Sequence, residues 1–195
     1  MKKKTYRLTD QALKQEMRRL LRAEHRRRIL KCTAVAVILA IVAGAVLCSQ
    51  KLMLVTVRGN SMNDTLESGS AVLCLREAEA RRGGLVLFEY EDTLLIRRVI
   101  GMGGDEVIVD EDGVTVNGER LEEAYVSNDE IWMSNIDYPV RVPEGELFVM
   151  GDYRSASIDS RSSTFGTIKE TALVGTPMLV VWPFYRAGRM DGGWL

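Results

Sequence analysis

A mostly β domain, coiled or barrel-like and tethered by one N-terminal transmembrane helix, is the fold class this sequence predicts. Three observations predict it. An uncharged apolar stretch follows a strongly basic head, short apolar runs broken by turn residues fill the remainder, and no helical periodicity of comparable length competes there. The chain has 195 residues, 46% apolar and 27% charged. That suits one folded domain with an appended segment and excludes wholesale disorder or collagen-like repetition.

The net charge of −1 conceals a split. Residues 1–31 hold 12 Lys/Arg against Asp10, Glu16 and Glu24, a net +9, whereas the rest holds 14 Lys/Arg against 24 acids, a net −10. The larger, acidic part would repel phosphates, so nucleic acid is not an expected partner. Between the two regimes lies Cys32–Cys48, uncharged throughout, and the uncharged run continues to Lys51. At about 1.5 Å per residue this reaches the lower limit for a ~30 Å hydrocarbon core. A cleaved secretory signal would start nearer the N-terminus, and a core helix would not sit beside so basic a flank. Three regions follow: a basic tail 1–31, a span 32–50 and an outer domain 51–195. Positive charge marks the cytoplasmic side, so the outer domain is expected outside.

Within the tail, Leu8–Leu30 reads as a helix capped by Thr9 or Asp10, with Leu13, Met17, Leu20 and Leu21 as a narrow apolar stripe. It fits either an amphipathic helix on anionic lipid or a solvated tail that sets topology. His25, among arginines, has no second ligand at metal-site spacing. Cys32 and Cys48 belong to the span, which leaves Cys74 alone in the outer domain and no disulfide to staple it.

The outer domain's expected strands are Leu52–Val57, Ala71–Leu75, Leu85–Tyr90, Thr93–Ile100, Glu106–Val109, Val114–Val116, Glu146–Met150 and Ala172–Trp182. A hairpin loop is expected around Asp112-Gly113, and Asn117-Gly118 supplies the next turn.

Three segments carry chemistry. The first, Arg58-Gly59-Asn60-Ser61-Met62-Asn63-Asp64-Thr65-Leu66, puts a serine in a glycine-containing turn. Such a turn can offer a hydroxyl and a backbone N–H to one cleft, as a nucleophile with an oxyanion hole requires, though it is also ordinary turn chemistry. The second, Ile96–Asp105, carries Arg97 and Arg98 side by side on a strand. Neighbouring strand residues point to opposite faces, so one arginine faces inward unless the strand is an edge. The third, Gly151–Arg161, packs acids, arginines and hydroxyls after a β-run. It suits a loop held by internal ion pairs that braces a neighbouring site.

In this order behind a span, the three segments resemble the type I signal peptidases, membrane-bound serine proteases with a Ser/Lys dyad. In that family they read S-M-x-P-T-L, K-R-V-I-G-L-P-G-D and G-D-N-R-x-x-S-x-D-S-R, and the resemblance extends to Trp182-Pro183-Phe184. It implies Ser61 as nucleophile, its backbone N–H with nearby Gly59 as oxyanion hole, and Met62 lining the cleft. Ser157 would bond the general base, and Asp159 with Arg161 would form a supporting ion pair. Also implied are a coiled β catalytic domain, a bacterial plasma membrane location, and exported preproteins cut after small residues at −1 and −3. Neither metal nor cofactor is implied.

The family's catalytic lysine position is Arg97 here. Sliding the match by one residue gives Arg98, so no register restores a lysine. A base must be neutral to take the serine proton, and burial can bring a lysine, ordinarily near 10.4, into that range. An arginine lies so far above neutral pH that deprotonating it costs roughly 7.5–9 kcal/mol. Arg97 can hold a hydroxyl or stabilise an oxyanion, but it cannot activate Ser61 as lysine does. The outer domain's other amines, Lys51 and Lys169, are the alternative bases. Asp64, Gly103 and Tyr153 are further departures from the motifs. Two functions therefore stand: a working signal peptidase with a weakened or relocated base, and a non-catalytic relative that keeps the cleft for binding. A self-cleaving repressor-type Ser/Lys protease fits less well, given the span and the same missing lysine.

Overall fold

The computed structural model describes residues 10–63, 65–76, 79–126 and 134–189. The expected cap Thr9 and the motif residue Asp64 lie outside them. The chain divides into two units, Met1–Ser49 and Gln50–Leu195.

The first unit is helical. A single helix, α1 (Asp10–Lys51), runs unbroken through both the basic stretch and the apolar one. The expected tail helix and span are thus one element, because no proline or glycine pair separates them. Met17–Lys51 is long and apolar enough to cross a membrane, and Val35, Ile38, Leu39 and Ile41 are all exposed. Its hydroxyls are internally satisfied: Thr33 Oγ1 donates to Leu30 O (3.0 Å) and Ser49 Oγ to Val46 O (2.8 Å). That is the arrangement a lipid environment requires.

The second unit is mostly β. Its strands are β1 (Leu52–Thr56), β2 (Ala71–Arg76), β3 (Leu85–Tyr90), β4 (Thr93–Met102), β5 (Glu106–Asp110) and β6 (Gly113–Val116). There follow β7 (Glu119–Arg120), β8 (Val140–Arg141), β9 (Glu146–Met150), β10 (Ile168–Lys169), β11 (Leu173–Trp182) and β12 (Gly188–Arg189). A large antiparallel sheet runs β1-β2-β11-β3-β4-β9-β10, with β12 on β11, and a small one runs β7-β6-β5-β8. All eight expected strands are present, while the two-residue strands β7, β8, β10 and β12 are too short to show a period. Register shifts in β11 and between Val99 and Gly101 of β4 bend the large sheet, since an extra residue locally sharpens twist.

Turn chemistry sets the registers. Asn117 (φ 53°) and Gly118 (φ 83°) both adopt left-handed backbone between β6 and β7, the type I′ pattern their sequence favours. Glu91 (φ 45°) and Asp92 (φ 60°) do the same between β3 and β4 without a glycine.

Three apolar clusters cover the sheets. One joins Val72, Leu85, Leu87 and Ile96 to Met62 and Leu66 of the loop after β1. A second places Val86, Phe88, Val99 and Val149 against Phe165 on the other face of the large sheet. The third locks the small sheet to Ile100, Phe148 and Met150. With both faces covered, β3 and β4 run buried along most of their length. Cys74 lies in the first cluster, and burial pushes its thiol up to about 11.

Candidate active site

The loop after β1 presents Ser61. Val57 N donates to Ser70 O (2.8 Å) and Gly69 N to Val57 O (2.9 Å), closing the loop at its base. Gly59 lies exposed within it at φ +85°, a backbone that side chains strain. Met62, expected to line the cleft, is 2% exposed and sits in the core beneath the loop. Its sulfur accepts from Asp152 N at 3.4 Å. Ser61 is left half-buried at the surface of this anchored turn.

Arg97 reaches it from β4. Its Nη1 donates to Ser61 Oγ at 2.8 Å and to Ile96 O at 2.7 Å, while Nε and Nη2 donate to Ile158 O at 3.2 and 3.0 Å. A guanidinium has donors only, so Ser61 Oγ is the acceptor and keeps its own proton. Burial, the largest influence, holds the Arg97 guanidinium below the ordinary arginine value; Asp159 opposes this, Arg161 reinforces it and Asp152 opposes it. Lys169 lies exposed on β10, paired with Glu146 of β9, and Lys51 is the last residue of α1.

Arg98, one residue on, points to the opposite face and is also buried. Because β4 lies between β3 and β9, neither arginine is at a sheet edge. Arg98 grips Asp152 through Nε (2.8 Å) and Nη2 (2.6 Å), donates to Gly83 O (2.6 Å), and lies 3.8 Å from the centre of the Tyr125 ring. Thr65 Oγ1 donates to the same Asp152 carboxylate.

The 151–161 loop is the brace its composition predicts. Asp159 and Arg161 are joined through Nε–Oδ1 and Nη2–Oδ2, each 2.9 Å, and Asp159 Oδ2 also accepts from Gly151 N (2.9 Å). Arg161 Nη2 returns to Arg154 O at 2.7 Å. Arg154, 1% exposed, is paired with Glu123 at 2.6 Å. The loop grips the Ser61 main chain directly: Tyr153 N donates to Ser61 O (3.0 Å), and the Ser157 hydroxyl lies within reach of Ser61 O (3.0 Å) and Tyr153 O (2.7 Å). Ser157, expected to bond the base, is thus directed at the backbone that carries Ser61. Gly151 is required by this contact, because a Cβ there would meet Ser157 Oγ at 1.8 Å and Ser61 O at 2.6 Å.

The structure therefore brings Ser61, Arg97, Ser157, Asp159 and Arg161 together on one loop–strand–loop junction. Sequence reasoning passed over Glu123, Tyr125 and Thr65, and it left Asp152 without a role. Asp152 was legible as an acid in a dense polar segment, whereas Glu123 and Tyr125 approach from a distant stretch with no local signature.

Comparisons with known proteins converge on one family. Residues 26–182 match the family described as signal peptidase, peptidase S26. Signal peptidase I of Bacillus licheniformis is 31% identical over 175 residues, covering 83% of this chain and 91% of that protein. Signal peptidase I T of Bacillus subtilis is 32% identical over 167 residues, covering 79% and 84%. A crystal structure of a signal peptidase I from Enterococcus faecalis aligns at a TM-score of 0.44 with 29% identity, over 51% of this chain and 97% of that one. With one family spanning the apolar helix, the Ser61 loop, both arginines and the bracing loop, this chain belongs to the signal peptidase, peptidase S26, family.

Proposed function

We propose that this protein is a membrane-anchored receptor for the signal peptides of exported preproteins, with Ser61 placed at the bond its relatives cut. In this reading α1 crosses the bacterial plasma membrane once, residues 1–31 stay cytoplasmic, and the domain from residue 51 works outside. The cleft takes small residues at −1 and −3. The Arg97–Ser61 hydrogen bond is the observation that carries the reading, because the side chain held against the hydroxyl cannot accept its proton. General-base assistance contributes typically 10²–10⁴-fold, and that contribution is missing here. Recognition without efficient cleavage is the outcome.

A second reading is proteolysis by Ser61 with solvent hydroxide taking the proton. It is favoured by the main-chain grip on Ser61 and by the Asp159–Arg161 pair, both intact. Arg97 would then help Ser61's backbone N–H and the Gly59 turn to stabilise the oxyanion.

Purified full-length protein in detergent, given a preprotein with Ala at −1 and −3, separates the two. Recognition alone predicts binding by the native chain with cleavage no faster than in Ser61→Ala. Arg97→Lys then gains cleavage that climbs with pH as the buried lysine loses its proton. Native cleavage abolished by Ser61→Ala establishes the second reading, and failure to bind the preprotein removes both.

A further inference from the structure

Among the described residues, the direct ion pairs around Ser61 leave one buried arginine over. Four arginines, Arg97, Arg98, Arg154 and Arg161, are each at most 5% exposed. Three carboxylates answer them among the described residues: Asp152 holds Arg98, Asp159 holds Arg161 and Glu123 holds Arg154. Each of these pairs lies within 2.9 Å. Arg97 is left with a hydroxyl and two main-chain carbonyls, all neutral. Asp159 and Asp152 act on Arg97 only from beyond hydrogen-bond distance; a buried cation with no direct ion pair is costly, and an anion beside it recovers part of that cost. The surplus charge lies against Ser61, and Ser61 Oγ, already accepting from Arg97, has its own hydrogen to donate outward.

We infer that Arg97 and Ser61 form a receptor for the free α-carboxylate of a peptide ending in a small residue. This deepens the reading given above and rests on it: a peptide docked beside the half-buried Ser61 up to its −1 residue would end against that hydroxyl. A guanidinium and a hydroxyl side by side suit a planar carboxylate, which can take a charge-assisted bond from one and a hydrogen bond from the other. An uncleaved preprotein offers only a neutral carbonyl at that point. The preferred occupant is therefore a product of peptide-bond hydrolysis, supplied by a separate peptidase.

The test uses the full-length protein in detergent and a fluorescent peptide ending in Ala-Leu-Ala, as the free acid and as the C-terminal amide. The free acid is expected to bind about 10- to 100-fold tighter than the amide and to raise the midpoint of thermal unfolding. Arg97→Gln abolishes the preference, whereas Arg97→Lys retains part of it at pH values low enough to keep the buried lysine protonated and loses it as pH rises. The unfolding midpoint of each variant without peptide checks that it folds. Equal affinity for acid and amide, with the preprotein still bound, overturns the carboxylate receptor and leaves the broader reading standing. Loss of all peptide and preprotein binding overturns the broader reading itself. Sulfate or acetate competing as tightly as the acid peptide reduces the site to a general anion site and overturns the inference.

Discussion

Arg97 and Arg98 differ by one position and have opposite fates. Arg98 is a structural cation, its charge met by Asp152 and its flat face by Tyr125. Arg97 meets only neutral atoms. The sequence made one inward arginine legible by alternation. It could not show that both faces of β4 are covered, since that depends on partners far along the chain. Asp105 teaches the same lesson. It closes the turn after β4, accepting from Met102 N (2.7 Å), Asn117 Nδ2 (2.8 Å) and Arg82 Nη2 (2.6 Å). Burial works to raise its pKa, yet the Met102 N–H, Asn117 and Arg82 outweigh it and hold the carboxyl below its usual range. A carboxyl depressed in the folded state stabilises above its unfolded value near 3.9, and that stabilisation is lost as pH falls through the folded value. Asp105→Asn is therefore expected to cost about 1–3 kcal/mol at neutral pH. It should also flatten the acid side of the stability curve, as urea unfolding between roughly pH 2.5 and 7 would record. An unchanged acid slope would remove Asp105 from that account.

Among the elements, the 151–161 loop makes the sharpest demand on its residues. Its backbone passes so close to Ser61 and Ser157 that position 151 has no room for a methyl group. Gly151→Ala is expected to destabilise the outer domain by about 3 kcal/mol or more, at the upper end for overpacking, because the obstacle is partly main chain. Adding Ser157→Gly removes the hydroxymethyl contact but not the Ser61 carbonyl, so it restores only part of the loss in chemical denaturation. Full tolerance of Gly151→Ala would show that the loop stands away from Ser61 in solution. The strands themselves were legible because alternation and turn residues agreed. The β3–β4 turn was not, because Glu91 and Asp92 adopt left-handed backbone there without the glycine that usually announces it.

For the whole molecule, the charge split and the apolar helix make a prediction about sidedness. With Cys32 and Cys48 replaced by serine, Ser163→Cys is expected to label with a membrane-impermeant maleimide on intact cells. Arg22→Cys is expected to label only after permeabilisation. Cys74 supplies an internal control, since its buried thiol stays protonated and unreactive until the domain unfolds. The reverse labelling pattern would invert the topology. The mostly β fold behind one apolar helix was readable from charge and hydropathy patterning along the chain. That the head is one unbroken helix was not, because a basic solvated run and an apolar one give different periodic signals while sharing the same backbone.

The pairing of Asp159 with Arg161 and of Arg154 with Glu123 gives the 151–161 loop a role independent of hydrolysis. Breaking the Asp159–Arg161 pair strands a charge in the interior, so foldedness alone requires those two residues whether or not Ser61 cuts. On the proposed reading, the second segment, which sets Arg97 against Ser61, is the better witness to occupation, and the third testifies chiefly to the fold.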